Sequence, residues 1–322
     1  MQIIICPYEQ SYKAEVCNLL NQTSNAPLGE DMFEMQEARV RTYPYYKRIV
    51  LTVNNEVVGM AQLLHATGMT PQDFLSQTII VDSAHRGRGY GQMLDEALAQ
   101  LVQDEQPIGL QTAVRDNNPE ARAWAERRGF TFKSHQFESV LDLTSFPLET
   151  IDAGVRSSES HGISFRTFEH FSLDDDMERV YQVVKQLSGD TPDAQGALDF
   201  PFETFAAMVR RMDPRCIFIA MAGEAIVGIT CLVPQGNEMY TLFTGVVKEY
   251  RGKGIAHALK LLSIRFAQAN GVKQLRTNNH STNAPMLAVN RKLGYVSQPG
   301  TGFLSDYFNE YRNMKQPQSS LN

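Results

Sequence analysis

The sequence predicts two tandem α/β domains in one chain, on three observations. The first is an internal duplication. RGRGYG (86–91) mirrors RGKGIA (251–256), RRGF (127–130) mirrors KLGY (292–295), and Val81 and Asn118 mirror Val246 and Asn283, every pair 165 residues apart. Separate weak signals that agree on one offset mark a repeat. The second is the alternation of period-two and helical patterns within each half, which implies sheets covered by helices. The third is a glycine-rich turn set between a strand and an amphipathic helix, once per half. A length of 322 residues suits two domains, and each half is long enough to bury a core.

Both halves read in the same order. IIIC (3–6) and ISFRTF (163–168) are the first strands, followed by helices at 10–21 and about 31–41, and at 174–188 and 202–212. Hairpins turn at Asn54-Asn55-Glu56 and Ala222-Gly223-Glu224. Fourth strands run through SQTIIV (76–81) and YTLFTGV (240–246), each ending just before a glycine turn. The next helices carry apolar stripes: Tyr90, Met93, Leu94, Ala97, Leu98 and Leu101, and Ile255, Ala258, Leu259, Leu262 and Phe266. Fifth strands follow, GLQTAV (109–114) and KQLRTN (273–278). Short helices then open at Asn118-Pro119 and Asn283-Ala284-Pro285, where Asn caps and Pro suits the first turn. The strand FTFKSHQFESVLDL (130–143) completes the first half. The polar stretch 144–162 lacks either period, so the expected boundaries are 1–145, a linker at 146–162, and 163–315. The tail KQPQSSLN is expected to be disordered.

Composition narrows the class. Hydrophobic and charged contents of 43% and 20% describe a globular protein, and a net charge of −6 argues against a general nucleic-acid binder. Cys6, Cys17, Cys216 and Cys231 form no CxxC pair and no metal-ligand cluster, so no metal is expected and the thiols read as reduced. MQIIICPYEQ lacks the features of a signal peptide. The apolar run 216–233 is broken by Glu224 and reads as a hairpin rather than a membrane span. A cytoplasmic protein without membrane or nucleic-acid partners is expected.

The glycine turns carry the chemistry. Glycine lets backbone N–H groups approach a ligand, and a helix start offers unpaired donors with partial positive charge, which together suit phosphate. Gly87, Gly89 and Gly91, with Tyr90, and Gly252 and Gly254, with Ile255 and Ala256, are the candidates. Arg86, Arg88, Arg251 and Lys253 add charge, although a solvated basic turn explains those side chains as well. Neither a Walker loop nor a Rossmann fingerprint is matched.

A turn of the form [R/Q]xxGx[G/A], with Gly-Phe or Gly-Tyr 43 residues after its first Arg, resembles the GCN5-related N-acetyltransferase (GNAT) superfamily, here in tandem. The second half, FTGVVKEYRGKGIAHALK followed by TNNHSTNAPMLAVNRKLGY, is similar to mycothiol-synthase-like acetyltransferases. The resemblance implies the acyl-CoA N-acyltransferase fold, a mixed and mostly antiparallel sheet flanked by helices. It implies acetyl-CoA as donor, with its diphosphate on the amides of 86–91 and 251–256. Pantetheine would pair along strand four near Val81 and Ser83, and near Val246, Val247 and Lys248. Asn118 and Asn283 would reach the cofactor or act as plain helix caps.

The implied reaction is direct attack of an amine on the thioester, which requires loss of a proton from nitrogen. Glu238 is the candidate base, with Tyr240 and Thr244 on the same side of the strand to hold a water. A solvated hairpin glutamate and ordinary strand packing remain the alternatives. Asp73 and Gln77 are the first-half equivalents. The family's thiolate commonly takes a proton from a tyrosine four residues before the final Gly-Phe. Here that position holds Asn290 and Ala125. Asn290 can donate a hydrogen bond to sulfur and Ala125 cannot, which favours the second half. No cysteine is expected beside strand four to form an acyl-enzyme. His257 and His280 read as surface residues, Trp124 as core, and Asp174-Asp175-Asp176 as a helix start. Three functions stay open: acetylation of a small-molecule amine, a non-catalytic acyl-CoA sensor, and a protein lysine or N-terminal acetyltransferase. A monomer with internal pseudo-symmetry and a homodimer fit equally.

Overall fold

The computed structural model describes residues 1–23, 28–65, 70, 73–102, 106–172, 176–190 and 201–308. Asp174, Asp175 and the tail lie outside them. In chain order the elements are β1 (Ile3–Pro7), α1 (Lys13–Asn21), α2 (Glu30–Val40), β2 (Tyr45–Val53), β3 (Glu56–His65), β4 (Phe74–Val81), α3 (Tyr90–Val102), β5 (Gly109–Arg115) and α4 (Pro119–Arg127). They continue with β6 (Thr131–Asp142), α5 (Glu149–Glu159), β7 (Ile163–Thr167), α6 (Met177–Gly189), α7 (Phe202–Val209), β8 (Ile217–Ala222), β9 (Ala225–Gln235) and β10 (Glu238–Val246). The last are α8 (Ile255–Ala269), β11 (Gln274–His280), α9 (Ala284–Lys292), β12 (Val296–Ser297) and β13 (Thr301–Tyr307).

Two compact units result, Met1–Lys133 with the chain from Gly302, and Ser134–Thr301. The first has a sheet in the order β1-β2-β3-β4-β5-β13. The second has the order β6-β11-β10-β9-β8-β7, with β12 against β6. The pairings β4/β5 and β10/β11 are parallel, and the other mapped pairings within each sheet are antiparallel. The mixed α/β sheet expected from the sequence is therefore present twice. Asn54 and Asn55 both take positive φ in the β2–β3 turn, the conformation that a two-residue hairpin favours.

Three expectations are corrected. The strand at 131–142 does not complete the first sheet; it pairs with β11 in the second unit, and β13 closes the first. Alternating polarity marks a strand but does not say which edge it will join. The expected linker 146–162 holds α5, whose Ile151 is fully buried in the core with Leu261. A side chain at Gly154 would stand 2.3 Å from Leu261 Cδ1, so α5 lies close upon α8. Finally, α8 buries more than one stripe: Lys260, Leu261, Ser263, Ile264 and Ala267 are buried along with Ile255, Ala258 and Leu259.

Each sheet carries a core on both faces. In the second unit, Ile217, Ile219 and Met221 of β8 pack with α6 and α7, while Phe218 and Ala220 pack with α5 and α8. Alternation along the strand sends successive side chains to opposite faces. Two irregularities in this sheet shape the site. The β9/β10 register shifts between Thr241 and Phe243, leaving Leu242 unpaired and exposed. The parallel β10/β11 pairing covers only Met239–Thr241 against Leu275–Thr277, so the strands part beyond it. In the first unit β3 and β4 pair without a shift.

Candidate active site

The glycine turns take one conformation in both units. Gly87, Gly89, Gly252 and Gly254 have φ of +76°, +84°, +81° and +74°, a region that side chains with Cβ rarely adopt. No atom lies within 4 Å of where a Cβ would stand at Gly87, Gly89 or Gly252, so the space above these backbones is open to a ligand. Tyr90 and Ile255 begin the helices and are buried, and Gly91 and Ala256 follow on the first turn. The amide hydrogens of a first helical turn have no partner within the helix.

The charged side chains of the turns are largely committed to the protein. Arg251 Nε donates to the Val246 carbonyl at 3.0 Å and its guanidinium pairs with Asp190. Arg86 Nε donates to the Val81 carbonyl at 3.2 Å. Each arginine thus ties the turn to the end of the preceding strand. Lys253 Nζ lies 4.8 Å over the Tyr250 ring, and Arg88 reaches the Ala84 carbonyl at 3.5 Å. The Val247 amide donates to the Val227 carbonyl and the Ser83 amide to Gln22 Oε1, while Lys248 is exposed. Asn118 and Asn283 do cap their helices, accepting from Ala121 N at 3.1 Å and Met286 N at 3.3 Å. Each also lines a cavity of its own unit.

Where β10 and β11 part, the second unit holds a cavity of about 470 Å³. Its walls come from both sheet faces: Val180, Val184, Phe205 and Met208 on α6 and α7, and Lys260 and Met286 on α8 and α9. Thr244 and Thr277 line it from the parting strands. Among the described residues, no carboxylate lines it, and the titratable groups that do are Cys231, Lys260 and His280.

Sequence models of the Acetyltransferase (GNAT) family match residues 13–130 and 180–295. The chain belongs to this family. A mycothiol acetyltransferase from Amycolatopsis mediterranei is 27% identical over 265 residues, covering 78% of this chain and 81% of its own. The solved GCN5-related N-acetyltransferase from Sphaerobacter thermophilus superposes with a TM-score of 0.63 at 18% identity, covering 95% of both chains. A tandem GNAT protein from the clavulanic acid biosynthesis pathway gives 0.59 at 19% identity, covering 95% of this chain and 98% of its own. The two solved structures share the fold. Family membership makes this chain an acyltransferase of the GNAT type.

Within this GNAT chain the expected catalytic residues are placed differently from their sequence reading. Glu238 does not line the cavity; its carboxylate is held by Arg276, which also donates to Glu138 Oε2 at 2.6 Å. Tyr240 is absent from the wall, and burial raises its hydroxyl above the ordinary range despite a backbone contact at Asn278. Asn290 is buried and donates its amide to Asn279 Oδ1 at 2.7 Å; it too stands outside the wall. Thr244 alone of that set lines the cavity. Cys231 does line it, contrary to expectation, but burial pushes its thiol up to about 12, which disfavours the thiolate that an acyl-enzyme would need.

In the first unit of this GNAT chain, charged side chains meet at the matching place. Asp95, the counterpart of Lys260, accepts from Arg128 Nε at 2.9 Å and Gln77 Nε2 at 3.0 Å. Arg128 in turn stacks 3.7 Å over the Trp124 ring. Trp124 is half-buried rather than core; it walls a cavity of about 280 Å³ with Val81, Arg86, Gly87, Gly89 and Asn118. Among the described residues no group of His, Cys, Asp and Glu could hold a metal, and no helix is long and apolar enough to cross a membrane.

Proposed function

We propose that this chain transfers acetyl from acetyl-CoA to the amine of a small molecule by direct attack, in its second unit. The observation that carries the reading is the cavity of about 470 Å³ opening where β10 and β11 part, on the strand β10 whose end leads into the glycine turn of α8. Its volume suits a small ligand, and its apolar α6–α7 side would hold the body of the acceptor. The open backbone of Gly252 and the amides at the start of α8 would hold the diphosphate. The absence of a carboxylate from the described wall favours an amine that reacts as the neutral base. His280, on the wall at the end of β11, is then the group that takes the proton released from nitrogen. With the Cys231 thiol held neutral, direct attack is favoured over an acyl-enzyme.

The first unit would bind the CoA diphosphate through Gly87 and Gly89 without turning it over. This reading rests on Asp95 held between Gln77 and Arg128 at the position that matches Lys260 of the second unit. The mycothiol acetyltransferase relatives are too distant to lend their acceptor, so the acceptor reading stands on the cavity.

Calorimetry with CoA on Gly252→Glu and Gly87→Glu, with thiol release across a panel of amines, tests the scheme. Loss of turnover with Gly252→Glu alone is expected. Tight CoA binding with no acyl-dependent thiol would favour a sensor, and peptides outperforming every small amine would favour a protein acetyltransferase.

A further inference from the structure

Lys260 is a lysine in a place that the fold does not need one. Its side chain is 1% exposed, and its Nζ has no hydrogen-bond partner among the described residues. The nitrogen lies 4.9 Å over the Tyr295 ring. An unpaired ammonium in such surroundings is costly, and a methionine or leucine would fill the same volume without that cost. Yet the side chain stands in the wall of the chamber, on its α8 side, with Thr277 and Asn279 of β11. Acetyl transfer leaves a thiolate that needs a proton.

We propose that the Lys260 ammonium gives its proton to the sulfur of the departing CoA thiolate. This rests on the acetyl-transfer reading of the second unit. The acceptor nitrogen bonds to the acetyl carbon, the carbon–sulfur bond breaks with its electron pair going to sulfur, and sulfur takes the proton of Lys260. The proton shed by the acceptor nitrogen goes to His280, and both side chains are restored by exchange with water, so no net proton is consumed.

Burial pushes the Lys260 ammonium down to about 7. A thiol ordinarily titrates near 8.5, so the transfer runs downhill. The Lys260 shift comes from burial, with no charged neighbour contributing to it. Tyr295 is pushed above its ordinary range by burial, Cys231 up to about 12, and His257, on the same helix, is lowered by burial and then by Lys292. His280 completes the set on the cavity wall.

The test is Lys260→Met in the full chain, with two readouts. The first is the affinity for CoA by calorimetry, which needs no acceptor. The second is acetyl transfer from pH 6 to 9. In the variant CoA affinity should be kept and kcat should fall roughly 10²-fold. The wild-type kcat should decline as pH rises through about 7, and the variant should lose that limb. CoA bound normally by both proteins, with the same kcat and the same pH profile, would overturn the role of Lys260 and leave acetyl transfer standing. Failure of the wild type to bind CoA would overturn both.

Discussion

Ser158 Oγ donates to the Lys253 carbonyl at 2.9 Å, so α5 braces the glycine turn of the second unit. Ser158 is wholly buried, and a side chain at Gly254 would lie 3.1 Å from its oxygen. Ser158→Ala should leave that carbonyl unpaired and cost about 1–3 kcal/mol. CoA affinity should weaken along with it. Urea denaturation and calorimetry on one preparation check both.

Glu238 should be dispensable for chemistry. Its carboxylate is occupied by Arg276, and the pair is about one-third exposed. Glu238→Gln should change kcat by less than about threefold, far below what loss of a general base costs. The stability change should stay within about 1 kcal/mol, as for other accessible ion pairs. Steady-state kinetics decide it.

The α6 wall of the chamber should govern the acceptor alone. Val184 is buried and lines the cavity, so Val184→Phe would occupy acceptor space. The acceptor KM should rise about tenfold with kcat little changed, the pattern of lost uniform binding. The Kd for CoA, read by calorimetry, should not move.

Lys260 also sets a pH dependence of folding. Its folded value of about 7 lies below the ordinary lysine value, so between these the unfolded chain binds the extra proton. Stability should therefore rise with pH above about 7, and the penalty should be fully present below it. At about 1.4 kcal/mol per pKa unit the effect amounts to several kcal/mol. Lys260→Met should be more stable than wild type at pH 6, with the gap narrowing toward pH 9. Chemical denaturation at the two pH values measures it.

The first unit holds a buried ion pair whose disruption should be severe. Arg48 and Glu37 pair with side chains only 4% and 9% exposed, and Arg48 also lies near the Tyr8, Phe33 and Tyr46 rings. Glu37→Ala should cost about 3–5 kcal/mol, because it strands a buried guanidinium. Glu37→Leu combined with Arg48→Met should recover much of that loss in thermal unfolding.

Local features of the fold were legible from sequence because each depends on neighbours along the chain. Gly87, Gly89, Gly252 and Gly254 announce positive φ, Asn118 and Asn283 announce helix starts, and Asn54-Asn55 announces a hairpin. What stayed hidden depends on partners far away in sequence. Glu238 looked free until Arg276 came beside it, and 131–142 looked like the last strand of the first domain until β11 claimed it. Helix α5 was masked by its polar face, although Ile151 and Val155 share one side of it. Lys260 left one faint trace: a lysine among Ala256, Ser263, Ile264 and Ala267, at spacings that would otherwise mark an apolar stripe.

The split of the units has a consequence for biosynthesis. The second unit is one unbroken stretch, Ser134–Thr301, whereas the first waits for β13. A ribosome working from the amino terminus therefore releases everything the later domain requires before it has supplied the last strand of the earlier one. Until then β5 has an unfilled edge, an invitation to wrong partners that ends only when β13 emerges.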